Sequence, residues 1–280
     1  MSGYVETILV MLSINVILAY AAFLPLAAGQ VNLGIAGLMA IGAYASSYLG
    51  AEYAVPPGPA IAIGVLISAA VSIVIAFPIL RTRDIYLALA TLALGECISG
   101  IIINTEALGG AAGYSVSGYV GLPWIASCAI GVCVLVFILF RTRLGLCIVS
   151  VDDDERVADL LGIHVRAVKV AAFSMGGALA GLAGGLYAHY FSFIEGQHFT
   201  VLLSVYVVLY VLLGGAKTLI GPLAGALIFT LMPELLRAGN EWRYALFALF
   251  VIAVMAIRPH GLFMPGQPPW RRLGRSGEAR

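Results

Sequence analysis

Charge is what this 280-residue chain has least of: Asp, Glu, Lys and Arg together make up 10% of it, against about 25% in an ordinary soluble domain. So few charged groups cannot clothe a water-soluble globule, which excludes a cytoplasmic enzyme. A net charge of +1 likewise gives nucleic acid nothing to bind. Cysteine is scarce as well. Cys97, Cys128, Cys133 and Cys147 form no CxxC pair and lie in or beside apolar runs, which leaves them as packing residues rather than zinc ligands or disulfides. No HExxH, GxSxG or His/Asp/Glu cluster is present, so neither a catalytic centre nor a metal site is expected. The nearest approach to a phosphate-binding loop, Val211 to Thr218, lacks both glycines of GxxxxGK[ST]. The chain is therefore expected to bind no cofactor and to hydrolyse no ATP. Lys and Arg are missing altogether before Arg81, so the first apolar run reads as a retained helix and not as a cleaved signal.

What the chain does have is apolar sequence: 61% of its residues are hydrophobic, and the mean hydropathy is +1.02. Apolar runs near 7–28, 33–50, 58–80, 85–104, 121–140, 167–190, 200–214, 218–236 and 242–258 approach the length of about 20 residues that a spanning helix needs. The expected fold is all-α, a polytopic transmembrane bundle of about eight to ten spans. Segments 33–50 and 200–214 are short enough to be half-helices or re-entrant elements. If the Arg81–Arg83 loop is cytoplasmic, alternation places 13 Lys and Arg inside against 2, Arg237 and Arg243, outside, as positive-inside insertion requires. Residues 1–262 then form a membrane domain with a cytoplasmic loop at 141–169. Residues 263–280, with Pro265, Pro268, Pro269 and Arg271-Arg272, form a basic cytoplasmic tail lying on anionic lipid or simply enforcing orientation.

The loop at 141–169 is where the chain keeps its acids. Asp152, Asp153 and Asp154 suit the first turn of a helix, where carboxylates meet free amides and the positive end of the dipole. Gly162 suits the other end. A helix over 152–163 would set Val157, Leu160 and Leu161 on one face and Glu155 and Asp159 on another. Anionic lipid repels such an acidic face, so a protein partner is the favoured cover.

Gly29-Gln30-Val31-Asn32-Leu33-Gly34, Asp84 to Glu96, Asp154 to Val165, Lys169 to Tyr187, Gly214-Gly215-Ala216 with Gly221-Pro222, and Arg258-Pro259-His260-Gly261-Leu262 follow one another along the chain. In that order they resemble bacterial branched-chain amino-acid ABC importer permeases of the LivM type. The resemblance covers most of residues 29–262. It departs at Leu146–Val149, where the family usually has basic residues before its coupling helix, and at Lys217, where a small polar residue is usual. The resemblance implies a multi-pass subunit of the bacterial inner membrane. It further implies pairing with a second homologous permease, docking of two cytoplasmic ATPases that hold ATP and Mg, and delivery of substrate by a periplasmic binding protein. Asp152, Asp153, Asp154, Glu155, Ala158, Asp159, Leu161 and Gly162 would form the ATPase-coupling element.

A transport path should show itself where polar groups persist within apolar runs. Glu96 lies more than half way along 85–104, where a charge costs about 2.5–3.5 kcal/mol on insertion scales. Two roles are open to it: lining the path, where it would meet a substrate ammonium, or making an interhelical hydrogen bond. Gln30 and Asn32 fall at a break between two runs, which is either a path element or a plain turn. Thr91, five residues before Glu96, is off its helical stripe. Gly177, Gly181 and Gly185 recur every fourth residue and make a smooth face for close helix packing, as do Gly42, Ser46 and Gly50. His189 and His198 read as residues of the outer surface, available with Glu195 to a binding protein. A self-sufficient secondary transporter or channel is the alternative to an ATP-driven importer; it would need intramembrane ionisable groups, and Glu96 is essentially all the sequence offers.

Overall fold

Apolar residues on every side of a helix drive it to the middle of a bundle, and the first helix, α1 (Gly3–Leu26), is of this kind: each residue from Val16 to Pro25 is buried. The computed structural model describes residues 3–79, 85–235, 248, 249, 251, 252, 254, 256 and 261–263. After α1 come α2 (Ile35–Tyr53), α3 (Pro57–Ile79), α4 (Ile85–Ile103), α5 (Leu122–Leu139), α6 (Arg143–Asp153), α7 (Glu155–Leu160), α8 (Val165–Phe191), α9 (Val201–Gly214) and α10 (Gly221–Leu235). Two-residue strands, β1 (Tyr114–Ser115) and β2 (Phe193–Ile194), pair antiparallel beyond the helix ends.

Helices α1, α2 and α8 form the centre, and α3 packs on α2 and α8. Helix α4 lies on α2, α5 on α1, and the α9–α10 hairpin on α1. Six stretches among the described residues are long and apolar enough to cross a membrane: Gly3–Leu26, Pro57–Pro78, Ile85–Ile103, Leu122–Leu139, Val165–Phe191 and Gly196–Gly214. The chain is a polytopic helical membrane protein. Segment 33–50 is no half-helix: α2 is a continuous helix of 19 residues, kept buried by small side chains instead of strong hydropathy. Segment 200–214 is indeed short, since α9 has 14 residues and extends about 21 Å at 1.5 Å per residue.

All six Lys and Arg among the described residues, Arg141, Arg143, Arg156, Arg166, Lys169 and Lys217, lie at the end where α1 and α5 finish and α8 begins. The opposite end carries the start of α1, the β1–β2 pair and the 3₁₀ turns at Glu106–Leu108, Gly110–Ala112 and Gly196–His198. Arg81, Arg83, Arg237, Arg243, Arg258 and the tail from residue 264 lie outside the described residues.

Close approach of backbones holds the centre together, because lipid gives apolar side chains little reason to prefer one another. A Cβ at Gly181 would come within 2.6 Å of Ser68 Cβ on α3, and Gly177 and Gly185 face α3 at Ser72 and Ile61. The expected smooth face at 177, 181 and 185 thus meets α3. A second face, which the four-residue spacing did not reveal, meets α1 and α2: Gly176 abuts Ala21 O and Gly184 abuts Met39 O. Ser68 Oγ lies 3.0 Å from Leu38 O and 2.8 Å from Gly177 O, so one hydroxyl ties α3 to both α2 and α8.

Gly184→Ala should be the more damaging of two otherwise equal changes, because its Cβ would collide with the backbone carbonyl of Met39, whereas Gly131→Ala on α5 meets nothing within 4 Å. Overpacking of this type costs about 1–3 kcal/mol. Thermal unfolding of the detergent-solubilised protein should show a lowered Tm for Gly184→Ala and none for Gly131→Ala.

Candidate functional site

At the basic end the chain does not make the single helix over 152–163 that its acids suggest. Asp152 and Asp153 complete α6, and Asp154 alone begins α7, its Oδ1 accepting from the amides of Arg156 at 2.8 Å and Val157 at 3.2 Å. The reason lies upstream. Residues 144–151 are amphipathic and bury Gly145, Ile148 and Val151, so helix starts at Arg143 and runs through the first two aspartates before Asp154, extended at φ −161°, breaks it. The apolar run Leu146 to Val149 therefore lies within α6.

Gly162 ends α7 as its position suggests. With φ +82° it adopts the left-handed conformation; its amide bonds to Asp159 O at 2.9 Å, and that of Ile163 bonds to Ala158 O at 3.0 Å, which is the Schellman pattern. Ala158 is the one buried residue of α7. Glu155 pairs with Lys169 of α8, and Asp152 and Asp153 lie 3.5 and 3.9 Å from Lys217 in the turn between α9 and α10. Neither lysine was recognisable as a partner from sequence, because separations of 14 and about 65 residues carry no periodic signal. The apolar face of α7, Val157, Leu160 and Leu161, is left uncovered.

The same end holds the break between α1 and α2. Gly29, at φ +73°, sits where a Cβ would lie 3.4 Å from Asp152 Oδ1. Beyond it residues 30–34 form no regular secondary structure, and side chains satisfy the amides at this break: Leu33 N donates to Thr91 Oγ1 at 3.0 Å, Gly34 N to Asn32 Oδ1 at 2.8 Å, and Ala36 N to Ser204 Oγ at 2.9 Å. Gly34 and Gly37 press against Thr91 O and Gly95 of α4. Asn32 and Thr91 are thus brought to the same turn, and Gln30, Asn32 and Thr91 are all buried.

Glu96 is not with them. It is exposed on the far side of α4, and its Oε1 accepts from Val201 N at 2.9 Å at the first turn of α9. Of the two roles open to it, the interhelical hydrogen bond is the one made, and the carboxylate meets the positive end of the α9 dipole. His189 departs from the surface reading. It is fully buried, and its Nδ1 lies 3.0 Å from Gly118 O, because the α4–α5 loop folds back over α8.

Over residues 4–257 the chain matches the family model described as the permease component of branched-chain amino acid transport systems. It belongs to that permease family. It is 29% identical over 276 residues to the high-affinity branched-chain amino acid transport system permease protein LivM of Escherichia coli K12, covering 86% of this chain and 65% of the relative. LivM of Salmonella typhimurium LT2 is also 29% identical, over 90% of this chain and 67% of its own length. The nucleoside ABC transporter permease protein NupC of Lactococcus lactis is 29% identical over 76% of this chain and 75% of the relative. The chain thus spans about two thirds of the LivM relatives' length, and no solved structure matches it. Its relatives in this ABC permease family are transport subunits, and that the nucleoside permease is among them means membership does not fix the solute.

Removing the Asp154 cap tests how α7 is held. Asp154→Ala should cost about 0.5–2 kcal/mol locally, read as faster amide exchange at Arg156 and Val157, with α8 unchanged. Glu96→Gln should preserve the bond to Val201 N and the Tm, whereas Glu96→Ala should lower it.

Proposed function

We propose that the chain is the membrane permease subunit of an ATP-driven ABC importer for branched-chain or similar apolar amino acids in the bacterial inner membrane. Its basic end is the cytoplasmic one, as the placement of Lys and Arg supports, and the C-terminal tail follows on that side. A second homologous permease completes the path, two cytoplasmic ATPases supply ATP and Mg chemistry, and a periplasmic binding protein delivers substrate.

The observation that carries this reading is the exposed apolar face of α7: Val157 is 51% exposed, Leu160 87% and Leu161 74%. Two large apolar residues on a six-residue helix and a third at its C-cap, among acids, suit the groove of a protein partner. The helix is capped at both ends and clamped to α8 through Glu155 and Lys169, so a push on α7 reaches a membrane helix directly. ATPase closure would act through Asp152 to Gly162 to switch access. Glu96, on which an ATPase-independent transporter would rest, engages Val201 through Oε1, which favours the importer.

Glu155→Lys places two cations together, and Gly162→Pro cannot adopt φ +82°. Each should reduce uptake of radiolabelled L-leucine at least tenfold with membrane insertion unchanged. Leu160→Asp should in addition lose copurifying ATPase. Normal uptake by all three variants at normal protein level, or recovery of the wild-type chain from its native membrane without ATPase, would overturn the reading.

A further inference from the structure

The break between α1 and α2 contains three polar atoms that the protein itself leaves unused. Gln30 is 1% exposed and Asn32 3% exposed, yet Gln30 Nε2, Gln30 Oε1 and Asn32 Nδ2 have no hydrogen-bond partner. A buried polar group without a partner costs about 1–3 kcal/mol, so three within three residues make a costly arrangement unless something else engages them. The amides of Leu33, Gly34 and Ala36 are already taken by Thr91, Asn32 and Ser204, so none of them is left for Gln30 Oε1. The Asn32 amide is fixed in direction, since its Oδ1 holds Gly34 N. Swapping the O and N positions of Gln30 changes nothing, because both lack partners.

The free groups are two amide NH2 donors, on different residues, and one carbonyl acceptor. That set complements a carboxylate with an adjacent ammonium. We infer that Gln30 and Asn32 form a binding site for the zwitterionic head group of an α-amino acid, the two amide nitrogens donating to its carboxylate and Gln30 Oε1 accepting from its ammonium. The inference rests on the importer reading above and places a substrate contact in this chain. Neutral amides bind a zwitterion without introducing net charge at membrane depth, which suits a site from which substrate must leave. The depth follows from Thr91, six residues into α4 and so about 9 Å along it, which accepts from Leu33 N. Asp152 Oδ1 lies against Gly29, one residue from Gln30, so motion of the coupling segment bears on the site directly.

The test is uptake of radiolabelled L-leucine by proteoliposomes containing the complete importer, together with the Tm of each variant. Gln30→Met keeps the length of the side chain and removes two of the three atoms; Asn32→Asp keeps the acceptor for Gly34 N and removes the free donor. Both should reduce uptake at least tenfold, and Gln30→Met should leave the Tm unchanged or raise it, because an uncompensated polar group has gone. Wild-type uptake by both variants would overturn the inference and leave the importer reading standing. So would a fall in uptake matched by a fall in Tm for Gln30→Met, which would mark a structural site filled by ordered water. Failure of the wild-type complex to transport L-leucine would strike the importer reading itself.

Discussion

A lipid interior offers no water to an unpaired amide or carbonyl, so every place where the helical ladder stops must be satisfied by protein. The architecture follows from how this chain meets that demand. Where α1 gives way to α2, hydroxyls of Thr91 and Ser204 accept the free amides. Where α9 begins, Glu96 reaches from α4 to its first amide. Where α9 turns into α10, the backbone of Leu262 and Phe263 closes on Leu213 and Gly214 at 2.9 and 3.0 Å. Each stop needs a named partner from elsewhere in the sequence, and these partners fix how the helices are arranged.

The breaks also gather the chemistry. The acids of α6 and α7, the lysines that answer them and Gly29, which opens the Gln30–Asn32 segment, all lie at one end, within reach of Asp152 or Glu155. Exposed ion pairs of this kind contribute about 0–1 kcal/mol, so Lys169 and Lys217 do not hold the fold. Their place between the amphipathic segment and two membrane helices suits the passing of motion. The fold is held by the central packing, where glycines of α8 face α3 on one side and α1 and α2 on the other. A segment driven against α8 therefore pushes on a closely interlocked body.

Composition and periodicity were enough to make out much of this. Scarce charge and long apolar runs require a helical membrane protein, and eight of the nine runs coincide with α1 to α5 and α8 to α10 within a few residues, while most of the ninth, 242–258, lies outside the described residues. The glycine after Leu161 marks the end of α7, because a left-handed residue ends a helix wherever it occurs. These features depend on neighbours close in sequence.

What only the tertiary structure decided depends on residues far apart. Three aspartates in a row look like one cap, but Ile148 and Val151 dock on the bundle and extend the preceding helix through two of them, leaving the cap to Asp154. Glu96 looks like a charge lost in the bilayer until α9 presents its first amide. His189 looks like a surface residue until the loop at Gly118 folds over it. Gln30 and Asn32 fall at a break that sequence could place, while their lack of partners is a property of everything packed around them. Local pattern determines where helices form, because hydrogen bonding and hydropathy act along the chain; which polar groups are answered, and which are left for a ligand, is settled only when distant segments meet.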